Sequence, residues 1–257
     1  MRCWRAAVTT ANLAPADAAR GAAQVGVGVR ALGMFLGGAT LISLGAATTT
    51  AALSGFATAP TVATAVSAVA GFGFAAAFLT RHHPHARLGA ASAVTSIRWG
   101  LVSILVGLLV AGAPSAAAVI GLAIFALSLD GVDGKLARRQ RLESRFGAAY
   151  DMEVDSVFAL ALAALAALGP AGPVALVLGL PRYLFGGAAL IAPWLNGPLA
   201  DRYSRKVICV VQLIALIALQ LPWLPVWAAL SIVIGVAAAL VWSFAVDIVA
   251  LRRARTA

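Results

Sequence analysis

The segment Asp130-Gly131-Val132-Asp133-Gly134-Lys135-Leu136-Ala137-Arg138 is followed by eight residues and then by Gly147-Ala148-Ala149-Tyr150-Asp151-Met152-Glu153-Val154-Asp155. This stretch holds six of the nine acidic residues of a 257-residue chain that is 62% hydrophobic and 11% charged. On a helix, Asp130 and Asp133 are three apart and Asp151 and Asp155 four apart, so each pair presents both carboxylates on one face. Two helix ends joined by a solvated loop, with aspartates paired to Arg138, Arg139, Arg141 and Arg145, would explain one such pair but not two pairs together. Like charges repel, and carboxylates at a membrane boundary are costly. Four of them make physical sense as a cage for hard divalent cations. Oxygen donors fit magnesium or manganese, whereas zinc would want nitrogen or sulfur. Two such ions could also neutralise a pyrophosphate during transfer at phosphorus. Glu153 points to a different helix face and is not counted as a ligand.

Outward from this island the chain is apolar. With positive mean hydropathy it is no water-soluble domain, and at about 20 residues per crossing it supplies roughly eight membrane helices. Ala31 to Thr80 carries no charge and is divided by a small-residue turn near Gly55 to Pro60, giving two accessory spans. Spans three and four run from about Ser92 and are separated at Ala111 to Pro114. Spans five and six follow Asp155 and are separated at Gly169 to Pro173, the sixth continuing to Trp194 with one charge, Arg182. Spans seven and eight occupy Val207 to Leu251, with a turn at Leu221 to Pro225.

The lysines and arginines sit in every second connection, and the alternate turns hold none. By the positive-inside rule the N-terminus, the loop Arg81 to Arg87, the island Asp130 to Asp155, the loop Asp201 to Lys206 and the C-terminus face the cytoplasm. The net charge of +10 is spread in short clusters between apolar runs, which points to anionic lipids and phosphate-bearing substrates and not to nucleic acid. Cys3 and Cys209 lie far apart and suggest neither a disulfide nor a metal site. The His82, His83 and His85 loop makes a poor metal cage. Gly33 and Gly37 form a G-x-x-x-G pair, explained as well by packing within the chain as by a dimer.

The polar island resembles the signature of the CDP-alcohol phosphotransferase family, D-x-x-D-G-x-x-A-R, eight residues, G-x-x-x-D-x-x-x-D, at every fixed position. Upstream, Ser92-Ala93-Val94-Thr95-Ser96-Ile97-Arg98 resembles the family's N-x-x-T-x-x-R, with Ser92 in place of Asn. The resemblance implies an all-α integral membrane fold. A six-helix core at residues 92–257 is preceded by residues 1–91, a cytoplasmic lead-in and two accessory helices. It further implies an enzyme of the bacterial phospholipid synthase type that moves a phosphatidyl group from CDP-diacylglycerol to a small alcohol, releasing CMP, in the cell membrane and as a homodimer. Asp130, Asp133, Asp151 and Asp155 would bind Mg2+ or Mn2+, two ions in all, with Asp155 also the general base. Gly134, Ala137, Arg138 and Gly147 would border the CDP moiety.

An ionisable side chain in an apolar span is a functional candidate by default, which singles out Arg182. Arg202 and Lys206, with Arg205 beside them, are candidates to bind a phosphorylated acceptor. Asp247 is expected either to pair with Arg252 or Arg253 or to border the active cavity. Three readings compete with the main one: transfer of a CDP-activated headgroup to diacylglycerol, a transporter using the aspartates for its ion, and an inactive scaffold.

Overall fold

Lipid offers no partner for backbone N–H and C=O groups, so a segment that crosses a bilayer alone must pair them internally. Each apolar stretch of this chain has done so as α- or 3-10 helix. The computed structural model describes residues 29–82, 90–112, 114–140, 145–197 and 202–256, and no strand occurs among them. In chain order the helices are α1 (Val29–Leu53), α2 (Thr58–His82), α3 (Ala90–Val110), α4 (Ala116–Gln140), α5 (Arg145–Ala166), α6 (Pro181–Ile191), α7 (Tyr203–Ala218) and α8 (Val226–Thr256). A 3-10 helix, Gly172–Leu178, precedes α6, and another, Pro193–Asn196, follows it.

The expected all-helical membrane architecture is what the chain adopts. Among the described residues, four helices are long and apolar enough to cross a membrane: Leu32–Leu53, Thr58–Ala77, Ser92–Val110 and Val226–Arg253. A fifth span is available if Gly172–Gly179 and Pro181–Ile191, bent by 54°, are taken as one. The other apolar stretches are shorter or more polar for local reasons. The apolar part of α4 ends at Gly131, where the carboxylate motif starts. The first half of α5 carries Asp151, Glu153 and Asp155, and α7 has only 16 residues. The bend in the sixth stretch follows from Pro181, which has no N–H to donate and whose ring clashes with the carbonyl one turn back.

The described residues group into two compact units, 29–154 and 155–256, with the division falling inside the continuous helix α5. In the first unit α1 and α2 pack on each other and on α3, and α3 packs on α4. Small residues make these approaches close. A Cβ on Gly71 would overlap the indole of Trp99, and one on Gly100 would overlap the side chain of Ile42. At Gly107 it would meet the hydroxyl of Thr64 and stand 2.7 Å from the carbonyl of Pro60. Buried and half-buried hydroxyls add polar links, since Thr64 donates to Thr50 at 2.9 Å and Ser67 reaches Ser103 at 3.4 Å. Phe35 meets Phe72 edge to face, with ring centres 6.1 Å apart. Gly33 and Gly37 behave otherwise: a Cβ on either would have nothing within 4 Å. Packing within the described chain therefore does not account for that pair. The turn between α1 and α2 runs through Gly55 and Phe56, both at positive φ (65° and 62°), a conformation that costs glycine little and phenylalanine more.

In the second unit α7 packs on α8, and both touch the first 3-10 helix. Gly179 allows that segment to approach α5, because a Cβ there would lie 2.9 Å from the Cα of Leu160. Gln220 donates to the carbonyls of Leu162 (2.9 Å) and Leu216 (3.0 Å), and Gln212 donates to the carbonyl of Leu178. Such side-chain amides are the polar links that helices use where apolar burial discriminates poorly.

Candidate active site

Helix α4 runs without interruption through Asp130 and Asp133 to Gln140, which keeps the two aspartates one turn apart along its backbone. The side chains of residues 132–140 lie outside the described residues, and Asp133, Gly134, Ala137 and Arg138 are among them. Helix α5 carries Gly147 in its first turn, partly buried, followed by Asp151 and Asp155 at i and i+4. Asp130 is buried (2% exposed), as is Asp155 (8%), while Asp151 is partly exposed. One carboxylate oxygen from each of Asp130, Asp151 and Asp155 lies within 4.8 Å of the other two. Two consecutive helices thus bring three of the four motif aspartates together. Glu153 is not part of the group.

Sequence reasoning placed Arg98 in the upstream motif but gave it no role, and it is the residue that joins two of these carboxylates. Arg98 in α3 is buried to 1% exposure, and its Nη1 lies 2.7 Å from Oδ1 of Asp151 and 3.3 Å from Oδ1 of Asp130. A guanidinium in an apolar helix is tolerated only where anions or carbonyls solvate it. The signal was present, since the rule that singles out Arg182 applies equally to Arg98.

The donor set fits a hard divalent cation. It consists of carboxylate oxygens alone, it is largely withdrawn from water, and it gathers like charges that a 2+ ion would hold together. Among the described residues no imidazole or thiolate, the donors a zinc site favours, belongs to this group.

The acceptor candidates lie in the second unit. Arg182, in the first turn of α6, and Lys206, in the first turn of α7, are both partly buried. Arg202 occupies the N-cap position of α7 and donates from Nη1 to Asp247 at 3.1 Å, its guanidinium 5.6 Å from the ring centre of Trp242. Arg205 donates from Nη2 to the same Asp247 oxygen at 2.8 Å. Of the two alternatives expected for Asp247, pairing with Arg252 or Arg253 is replaced by pairing with Arg202 and Arg205. Its partners come from the other helix, because burial to 2% exposure places its carboxylate against the start of α7.

A helical membrane protein with a largely buried carboxylate cluster on two neighbouring stretches of one motif has the donor set of a divalent-cation site. The family model for CDP-alcohol phosphatidyltransferase matches residues 88–249, more than half of the chain, and the protein belongs to that family. No curated protein and no solved structure matches it. Membership makes it an enzyme of the CDP-alcohol phosphotransferase kind, and the matched region contains Arg98 and all four motif aspartates.

Proposed function

We propose that the protein transfers the phosphatidyl group of CDP-diacylglycerol to the hydroxyl of a small phosphorylated alcohol, such as glycerol 3-phosphate or inositol phosphate, and releases CMP. The observation that carries this reading is the convergence of Asp130, Asp151 and Asp155 within 4.8 Å in a chain of this family. Residues 92–257 form the catalytic core on this reading, and residues 1–91 an accessory segment. The enzyme lies in the cell membrane as a multi-pass protein, with the site and both termini on the cytoplasmic side, as the distribution of lysine and arginine supports.

Asp130, Asp133, Asp151 and Asp155 would hold one or two Mg2+ or Mn2+ ions, whose chemistry is to neutralise the donor pyrophosphate and the charge on departing CMP. Asp155 accepts the proton of the acceptor hydroxyl. The acceptor oxygen then forms a bond to the lipid-side phosphorus while that phosphorus loses its bond to the bridging oxygen, and the electron pair leaves with CMP. No covalent enzyme intermediate is needed. Gly134 and Ala137 leave room for the nucleotide beside α4, Arg138 offers it a cation, and Gly147 permits the close approach of α5. Arg182, Arg202 and Lys206 recognise the acceptor phosphate. Arg202 brings a guanidinium that is still a quarter exposed while bonded to Asp247.

The test is an acceptor panel with purified protein in detergent, CDP-diacylglycerol and Mg2+, the lipid product being identified by mass spectrometry. A phosphorylated alcohol is expected to be the preferred acceptor. Lys206→Ala and Arg182→Ala are each expected to raise its KM about ten- to a hundred-fold, the worth of one charge-assisted contact, with kcat changed less. Equal use of unphosphorylated alcohols, or an unchanged KM in both variants, would contradict the acceptor assignment. Product formed only from a CDP-headgroup and diacylglycerol would reverse the direction of transfer.

A further inference from the structure

We propose that Arg98 is a positioning residue of the carboxylate site: its guanidinium, fixed in α3, holds Asp130 of α4 and Asp151 of α5 in the arrangement that receives the divalent cation. The proposal rests on reading the aspartates as a cation site. Three observations support it. The guanidinium is almost fully buried, so its contacts are not exchanged for water. A single nitrogen reaches one carboxylate oxygen from each of two helices, at 2.7 and 3.3 Å. The helix that bears it is held by the two residues that follow Arg98: Trp99 sits against Gly71 of α2, where a Cβ would overlap its indole, and Gly100 lies against Ile42 of α1. The accessory helices therefore bear directly on the segment from which Arg98 extends.

Electrostatics alone would give Arg98 the opposite role. A permanent positive charge this close to the ligands repels a cation, and deleting it should tighten metal binding. Positioning works in the other direction. Carboxylates brought together without a metal repel one another, and a guanidinium hydrogen-bonded to Asp151 and in ion-pair contact with Asp130 keeps their oxygens converged before the ion arrives. Groups that orient metal ligands in this way are typically worth 10- to 100-fold in affinity. The sign of the change in metal affinity therefore separates the two roles.

The experiment is Mn2+ binding to the full-length protein in detergent, followed by electron paramagnetic resonance of the free ion, for wild type, Arg98→Gln and Arg98→Lys. Wild type is expected to bind. Arg98→Gln is expected to bind about 10- to 100-fold more weakly, and Arg98→Lys more weakly than wild type but better than Arg98→Gln, because an ammonium keeps the charge without the planar fork. In turnover assays the Mn2+ concentration for half-maximal activity should rise with the same ranking while the KM for CDP-diacylglycerol stays constant. Partial misfolding would lower the number of binding sites and kcat without moving either constant. Should Arg98→Gln fail to yield monodisperse protein, Arg98→Lys decides by itself. Affinity equal to or tighter than wild type in either variant overturns the positioning role. A wild type that binds no Mn2+ removes the cation site, and the proposal with it.

Discussion

Asp155→Asn is expected to lower CMP release about a thousand-fold or more, the scale of losing a general base, with one metal ligand weakened at the same position. The change is isosteric, and it relieves repulsion between Asp151 and Asp155, which stand one turn apart on α5. Without added metal the thermal midpoint of the variant should therefore equal or exceed that of wild type. The rise in midpoint on adding Mg2+ should shrink, since stabilisation by a ligand follows its affinity for the folded state. Loss of turnover together with a preserved metal-free midpoint assigns the defect to chemistry. Wild-type turnover in the variant would remove Asp155 from the reaction.

The second large effect concerns stability. Asp247→Leu removes the carboxylate shared by Arg202 and Arg205, at 3.1 and 2.8 Å. Arg202 is partly exposed and can turn to water, but the side chain of Arg205 is only 8% exposed. Breaking a buried ion pair by removing one partner costs about 3–5 kcal/mol, because a charge remains where solvent does not reach it. The double variant Asp247→Leu/Arg205→Leu should recover much of that loss, since replacing a buried pair by apolar residues is often neutral. Thermal unfolding in detergent, read across the two single variants and the double, measures the coupling directly. Additive losses would mean that the two side chains do not depend on each other.

The membrane class and the core of the site were legible from the chain alone, for reasons of spacing. An uncharged run such as Ala31 to Thr80 has few solutions other than helices in lipid. The intervals Asp130 to Asp133 and Asp151 to Asp155 fix which carboxylates share a helix face before any tertiary structure is known. The convergence of Asp130 with Asp151 and Asp155 then needed only that α4 and α5 pack. What depends on side chains brought together from distant helices was much less readable. Arg98 meets Asp151 across 53 positions, and Arg205 meets Asp247 across 42. No local period encodes either pair. The signal that could have been used is energetic: a charged residue inside an apolar helix requires a partner, which marks Arg98 and Asp247 without saying whom they meet. The bend of the sixth stretch could have been read from Gly179-Leu180-Pro181, where a close backbone approach and a missing N–H coincide. The G-x-x-x-G pair left packing within the chain and a dimer contact open, and within the described chain a Cβ on Gly33 or Gly37 would meet nothing within 4 Å.

The most direct test is CMP release from CDP-diacylglycerol by the purified full-length protein in detergent, with an acceptor panel, with Mg2+ or Mn2+ and again after chelation by EDTA. Release that requires both an acceptor and a divalent ion, disappears with EDTA and returns when the ion is restored is the expected result. CMP release unaffected by EDTA, or no release with any acceptor in the presence of either ion, would contradict a metal-dependent phosphatidyl transfer at the aspartate cluster.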